Sequence, residues 1–443
     1  MTTSGYLDGC QMGSEVRGIA SARSGAAWVV NLNNGNTNWN NHDNLCQVRA
    51  VCAGECHGTA TFSALYSAWR TARRGKKPSR DQLAFDCNAF DSILGLEERL
   101  NTFSWQPSPP LCFVQLTPKA REIHAPAFAD RVVHHWLVPQ LEKLYESQFI
   151  HDSYSNRKGK GTHSAVARLS KFVRQVASGQ GGGYYLQLDI SNAFNSLHRP
   201  TLWRMLKQQM ERGKVPEVAQ RAAHALINHS IARTGVVMAC SKEEHAAVPP
   251  HKRLANSPAG CGIAIGNLSS QFFFNVYMDP LDKFVKHVLK APRYLRYVDD
   301  FVLVHHDRDQ LERWLVQITD FLRTELRLEL KAEQKLRPLA DGIDFLGYVV
   351  RPTHTLVRRR VVAHCRDKLA RWERQHVRNG EITSNTDALD QVIAIYASYM
   401  GHFKHAASYQ LRQGLIGRFP WLEQLVPFSA EASEDLRAEH NDA

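Results

Sequence analysis

The stretch Arg293-Tyr294-Leu295-Arg296-Tyr297-Val298-Asp299-Asp300-Phe301-Val302-Leu303-Val304 decides how this 443-residue chain is read. Its flanks have the composition of two short strands around a two-residue acidic turn. Adjacent carboxylates between apolar strands repel, and each raises the other's pKa. A divalent cation removes that cost, and hard oxygen ligands suit magnesium. The plainer explanation is a polar hairpin turn, where Asp is common.

A second stretch weighs between the two. Tyr184-Tyr185-Leu186-Gln187-Leu188-Asp189-Ile190, followed by Ser191-Asn192-Ala193-Phe194, reads as a strand and a turn. Alternation puts Leu186, Leu188 and Ile190 on one face, and Tyr185, Gln187 and Asp189 on the other, off the apolar face. Asp189 alone could cap the turn. On a strand beside Asp299 and Asp300 it would complete a two-metal site, in which ions about 3.5–4 Å apart stabilise attacking and leaving oxygens.

Together these stretches resemble motifs A and C of the reverse transcriptase palm, and further blocks follow in the family's order. Lys119-Ala120-Arg121-Glu122-Ile123 resembles the fingers strand whose basic side chains hold the incoming triphosphate. Two apart on a strand, Lys119 and Arg121 share a face. Asp130-Arg131-Val132-Val133-His134-His135 comes next. Ser155-Asn156-Arg157-Lys158-Gly159-Lys160-Gly161-Thr162-His163 resembles a basic, glycine-rich turn near nucleic acid. Gly260-Cys261-Gly262-Ile263-Ala264-Ile265-Gly266-Asn267-Leu268-Ser269-Ser270-Gln271 resembles motif B, and Gly342-Ile343-Asp344-Phe345-Leu346-Gly347-Tyr348 resembles the primer grip.

The resemblance implies an α+β right-hand polymerase: fingers, a palm with an antiparallel sheet, and a helical thumb. It implies RNA-templated DNA synthesis with Asp189, Asp299 and Asp300 as catalytic carboxylates. The implied holders of two Mg2+ ions are Asp189, Ile190, Asp299 and Asp300. Lys119 and Arg121 bind phosphate, Phe194 gates the sugar, and Ile265, Gly266 and Gln271 meet the nascent pair. Arg157, Lys158, Lys160, Arg358, Arg359 and Arg360 contact nucleic acid. The family's general-acid lysine has two candidates here, Lys331 and Lys335.

Motif B narrows the subtype. Faithful relatives usually carry Gln-Gly where this chain has Ile265-Gly266, and intron-type enzymes tend to end the block in Ser-Pro where this chain has Ser270-Gln271. The string resembles reverse transcriptases of diversity-generating retroelements. So do Arg121-Glu122-Ile123-His124-Ala125-Pro126 and Ser398-Tyr399-Met400-Gly401-His402-Phe403-Lys404-His405-Ala406. That family copies a template-repeat RNA into cDNA from a primer and dNTPs, with errors opposite adenine, for mutagenic retrohoming into a target gene. It works with a basic, helical, pentameric accessory variability protein. The expected setting is the cytoplasm of a bacterial or phage-infected cell, with no nuclease, maturase or RNase H-like extension. The rivals are a phage-defence or retron-like enzyme and a non-catalytic RNA-binding protein.

Composition agrees. Lys+Arg number 55 against 43 Asp+Glu, a net +12 that favours a polyanionic partner. No run of 18 apolar residues exists to span a membrane, and no secretory signal is expected at residues 1–20. The Cys46, Cys52, Cys56, His57 spacing is not a usual zinc knuckle.

Four zones are expected. Residues 1–56 hold eight asparagines between Asn31 and Asn44. Asparagine-rich sequence favours turns or disorder, and this segment also resembles the translated variable end of a C-type-lectin-like target. Residues 57–350 are fingers and palm. Residues 351–426 are a helical thumb, whose Arg351–Arg378 carries nine basic residues against two acids. Residues 427–443 form an acidic tail. The polar stretch 229–257 has no legible role.

Overall fold

The computed structural model describes residues 26–27, 51–52, 58–75, 77–117, 119–179 and 182–425. The expectations for the asparagine-rich segment, for Cys46, Cys56 and His57, and for the acidic tail lie outside these residues. At the segment's margins, Ala26–Ala27 pairs antiparallel with Val51–Cys52. The described chain is a mixed α+β structure with antiparallel sheets, the expected class.

Two compact units are distinguished. One contains helices α1 (Phe62–Ala72), α2 (Arg80–Cys87) and α3 (Ala89–Asn101). Thr61 and Ser79 cap the first two by accepting from N–H groups of the first turn. Leu65, Ile93, Leu96 and Leu100 supply its buried face.

The other unit carries the chemistry. Its central sheet has four antiparallel strands, β3 (Tyr184–Asp189), β5 (Tyr294–Tyr297), β6 (Asp300–His305) and β7 (Lys335–Pro338), in the order β5-β6-β3-β7. Register pairs Asp189 with Asp300 and Tyr297 with Asp300. Helix α5 (Thr162–Ala177) covers one face, where Tyr185, Leu295, Val302 and Val304 join Leu169, Phe172 and Val173 in a core cluster. Helix α9 (Arg308–Glu325) packs on β3 and β6.

Both faces are therefore buried, which corrects the reading of Tyr185 and Gln187 as lying off the apolar face. Tyr185 is 3% exposed and Gln187 9%. Phe301–Val304 forms an unbroken buried run, as a strand covered on both sides should. Helix α8 (Leu268–Lys283) is apolar nearly all round, with Phe272, Phe273, Phe274, Val276, Tyr277 and Met278 buried, as a central helix must be.

A smaller sheet joins β1 (Leu111–Gln115), β2 (Arg121–Ala125) and β4 (Val237–Met238) in the order β2-β1-β4. The illegible stretch 229–257 supplies β4, parallel to β1, and a helical turn Lys242–Ala246 closed by a Ser241/Glu244 capping box. Buried Glu122 on β2 holds this stretch: it accepts from the Leu254 N–H (2.8 Å) and lies 2.9 Å from His245 Nε2.

The strands β8 (Ile343–Phe345), β9 (Tyr348–Val350) and β10 (Thr355–Val357) form an antiparallel meander. Beyond it, α10 (Arg359–His376), α11 (Thr386–Phe403) and α12 (Tyr409–Arg418) bury Leu369, Trp372, Val392, Phe403 and Leu415 in a core of their own. Asn379-Gly380, both at positive φ, makes a two-residue hairpin between Val377–Arg378 and Glu381–Ile382 that separates α10 from α11.

Replacing Glu122 by Ala would leave the Leu254 N–H and His245 without their acceptor, at a cost of about 1–3 kcal/mol. Limited proteolysis should then cut within residues 237–256 first, ahead of the palm.

Candidate active site

The hairpin between β5 and β6 closes through only two residues, Val298 and Asp299, since Tyr297 pairs directly with Asp300. Asp300 thus begins a strand rather than completing the turn, a correction to the acidic-turn expectation. A loop this tight needs positive φ, and Val298 takes it at +55°. For a β-branched residue that conformation is strained by about 1–3 kcal/mol.

Two hydrogen bonds hold the strained turn. The Ile190 N–H donates to the Asp299 carbonyl (3.3 Å), and Arg296 Nη1 donates to the Val298 carbonyl (2.9 Å). Arg296 is wholly buried and forks onto Asp282 of α8, at 2.9 Å from Nε to Oδ1 and 2.7 Å from Nη2 to Oδ2. Its Nη1 also reaches Asn275 Oδ1 (3.2 Å), and Nη2 reaches Ser153 Oγ (3.3 Å). The Tyr294 hydroxyl donates to Asp282 Oδ1 (2.6 Å). Burial opposes the guanidinium's charge, and Asp282 more than offsets it.

Three carboxylates gather at this end of the sheet. Asp189 ends β3 opposite Asp300, and its Oδ1 is buried without a hydrogen-bond partner. Its Oδ2 forms an ion pair with Lys331 Nζ, and the Lys331 N–H donates to its carbonyl (2.9 Å). Burial first, then Asp189, push the Asp299 carboxyl up, with Lys331 and Arg121 pulling against them. Burial pushes Asp300 up to about 7, with Asp189 and Asp299 adding to it and the Gln187 hydrogen bond opposing it. Gln187 Nε2 donates to both Asp300 oxygens (3.1 and 3.3 Å) and to the Asp344 carbonyl (3.1 Å).

This donor set fits hard divalent cations: oxygen ligands, an orphaned buried Oδ1, and acids raised by burial and, less, by mutual repulsion. Among the described residues no three acidic, His or Cys side chains stand close enough together to hold a metal ion as they are placed. The Lys331 ammonium sits against Asp189. Ile190 is buried and aliphatic, so only its carbonyl could serve an ion.

The other expected residues separate into two groups. Arg121 is exposed at the start of β2, whereas Lys119 precedes the strand, so the two do not share a strand face as expected. Phe194 is half-buried and stacks on Phe274 of α8, with centroids 4.9 Å apart. The His124 N–H donates to the Ile265 carbonyl (2.7 Å), which ties the motif B loop to β2. Gly266 lies at φ +122°, and a Cβ there would come within 3.0 Å of the His124 carbonyl oxygen, so only glycine permits this approach. Gln271 is exposed on the first turns of α8.

Arg157 departs from expectation. Its side chain is 5% exposed and spends its donors on Glu146, the Ile150 carbonyl (2.7 Å) and the Ser153 carbonyl (3.0 Å). It braces its own loop and is not presented to nucleic acid. Lys160 Nζ donates to the His151 carbonyl (2.7 Å), and Lys158 is exposed. Arg358 pairs with Asp344 (2.8 Å), while Arg359 and Arg360 are exposed. Lys335 lies on β7 beside Gln187, so of the two lysine candidates only Lys331 contacts a site carboxylate. Sequence reading missed Gln187, Arg296 and Asp282, because each acts through a partner distant in sequence.

Two outcomes follow from this geometry. Between about pH 4 and 7 the folded state holds a proton on Asp300 that the unfolded chain has lost. Without metal, stability should therefore fall as pH rises through that window and level off above it. Melting curves should show this slope in the wild type, with a shallower one in Asp300→Asn, and a divalent cation should restore stability at pH 7–8. Separately, Arg296→Met should cost about 3–5 kcal/mol by stranding Asp282. Adding Asp282→Leu should recover most of the melting temperature but leave primer extension at least tenfold down, because the Val298 carbonyl stays untethered.

Comparison with known proteins gives this geometry a lineage. The family model described as reverse transcriptase (RNA-dependent DNA polymerase) matches residues 114–350, more than half of the chain and every strand of the central sheet. Protein YkfC of Escherichia coli (strain K12) is 22% identical over 300 residues, covering 60% of this chain and 71% of that protein. A solved telomerase from Candida albicans, in complex with a TWJ fragment of telomeric RNA, aligns over 72% of this chain at 13% identity and a TM-score of 0.36. This chain covers 61% of that one, less than two thirds of it. No described helix is long and apolar enough to cross a membrane. The chain belongs to the family described as reverse transcriptase (RNA-dependent DNA polymerase).

Proposed function

We propose that this polymerase is the reverse transcriptase of a diversity-generating retroelement, copying a template-repeat RNA into cDNA with errors directed at adenine. The observation that carries the proposal is Ile265-Gly266. An aliphatic side chain stands where faithful relatives place a polar one, on a loop bonded to the strand that bears Arg121. Without an amide at that position, one hydrogen bond that could test the nascent pair is lost, and such a polar contact discriminates far better than an apolar one.

The catalytic roles belong to this proposal too. Asp189, Asp299 and the Ile190 carbonyl would hold two magnesium ions, with Asp300 fixed beside them by Gln187. When bound, the ions would activate the primer 3′-hydroxyl and neutralise the triphosphate. Arg121 would bind phosphate oxygens through its fork, with Lys119 nearby. Phe194, held flat by Phe274, would bar a 2′-hydroxyl by bulk. Lys331 would exchange Asp189 for the phosphates and give up a proton there. Gln271 would face the template pair, and Lys158, Lys160, Arg359 and Arg360 would follow the duplex backbone, making binding strongly salt-dependent.

The proposed partner is a basic pentameric accessory protein, the proposed compartment the cytoplasm, and residues 1–56 translated template sequence. Primer extension with the accessory protein on structured, adenine-containing RNA tests the reading. Errors concentrated opposite adenine are expected, and Ile265→Gln should lower them severalfold. Faithful cDNA would move the assignment to a phage-defence or retron-like enzyme.

A further inference from the structure

Residues 398–406 run off the end of helix α11, and their two imidazoles, His402 and His405, turn back onto other elements. The His402 ring stacks on Tyr348 of β9, with centroids 4.2 Å apart and planes 22° from parallel. The Tyr348 hydroxyl donates to the His402 carbonyl (2.8 Å) and lies 3.1 Å from Nδ1 of both His402 and His163. His163, on the first turn of α5, stacks on His405 with centroids 3.8 Å apart. The Ala407 N–H donates to the Thr355 carbonyl of β10 (2.8 Å), and Thr355 Oγ1 lies 3.1 Å from Ser170 Oγ of α5. Helix α5, the meander and the end of α11 therefore meet through three imidazoles around one phenol.

This joint bears on the turn between β8 and β9. Phe345 pairs with Tyr348, so Leu346 and Gly347 make a two-residue hairpin, at φ +52° and +91°. A Cβ on Gly347 would come within 3.2 Å of the His402 ring, which lies directly against the turn's backbone. The Gly347 carbonyl accepts the Arg358 N–H (2.9 Å) where α10 begins. Strand β8 is tied in turn to Asp300 through Gln187.

The rings face one another, Tyr348 of β9, and Lys404 beside His405. Arg358 and Asp344, on either side of the turn, pair with each other. Burial lowers the His402 pKa, with Gly347 opposing and His163 adding to it. Burial, then His163, Lys404 and His402, lower that of His405. Lowered values mean that the folded joint favours uncharged rings. Its contribution is complete above about pH 7 and is lost as pH falls through the ordinary imidazole range near 6.5. His163 and His405 are exposed, so protons reach them, and two stacked imidazolium rings would repel.

We propose that His163, His402 and His405 are positioning residues that lock the end of α11 to α5 and to the β8–β9 turn while uncharged, and that their protonation loosens the enzyme's hold on primer–template. A duplex engaged both at the carboxylates and at Arg359 and Arg360 is held only as firmly as those groups are held to each other. The inference rests on that duplex reading of Arg359 and Arg360 and not on the diversity-generating one.

Dissociation of a labelled DNA primer annealed to RNA, measured between pH 5.5 and 7.5 at fixed ionic strength, tests it. The wild type should release the duplex about fivefold faster at pH 5.5 than at pH 7.5. In a His163→Phe, His405→Phe double variant, which keeps a stacked pair without a titrating proton, the difference should fall below about twofold. Tyr348→Phe should quicken release at both pH values and keep their ratio, since the rings can still charge. An unchanged ratio in the double variant would overturn the proposal. So would slower release at low pH, because imidazolium rings resting on phosphate would tighten binding instead. An Arg359→Ala, Arg360→Ala variant separates the two claims: release at pH 7.5 matching the wild type would contradict the duplex reading, whatever the histidines do.

Discussion

One buried ion pair governs the geometry of this polymerase. Arg296 and Asp282 are both wholly buried, and isolated charges are not tolerated there. Such a pair adds little net stability over an apolar pair of equal volume, but it permits very few arrangements of the groups around it. Here it ties strand β5 to helix α8, binds Ser153 and Asn275, and leaves one N–H aimed at the Val298 carbonyl. That last bond explains how a β-branched residue remains in a left-handed turn. The carboxylate-bearing hairpin is shaped from behind by a charge that never meets substrate.

The same logic runs outward. Lys331 fixes the end of the strand that carries Asp189, and Ile190 the turn that carries Asp299, while Gln187 orients Asp300 and reaches strand β8 through the Asp344 carbonyl. The motif B loop is bonded to β2 through His124 and Ile265, and Gly266 allows that approach by lacking a side chain. Glu122, on the buried face of β2, fastens the 237–256 stretch to the fingers. The strand that presents Arg121 is therefore supported from two sides, and what happens at residue 265 is mechanically close to that strand.

Much of this was legible in the sequence. Alternation and composition located the strands at 184–189 and 294–305. The carboxylates could be recognised because adjacent acids between apolar strands are costly without a cation. What escaped was of two kinds. Partnership has no signature in the residue itself: Arg296 and Arg157 look like Arg121 on paper, yet their side chains are buried braces, while Arg121 is exposed. Burial on both faces of β3 depends on helices elsewhere in the chain, so alternation alone misjudged Tyr185 and Gln187. The Asn379-Gly380 hairpin is different, because its signal was present in the dipeptide and the surrounding helical pattern obscured it.

The central claim is that Asp299, held at a strained turn by Arg296, does chemistry rather than capping a hairpin. Primer extension by Asp299→Asn, measured beside RNA-binding affinity and melting temperature, tests this most directly. The account predicts loss of at least about 10³-fold in synthesis, with RNA affinity retained and melting temperature equal or higher, since a repelling charge is removed. Synthesis within tenfold of the wild type would contradict it.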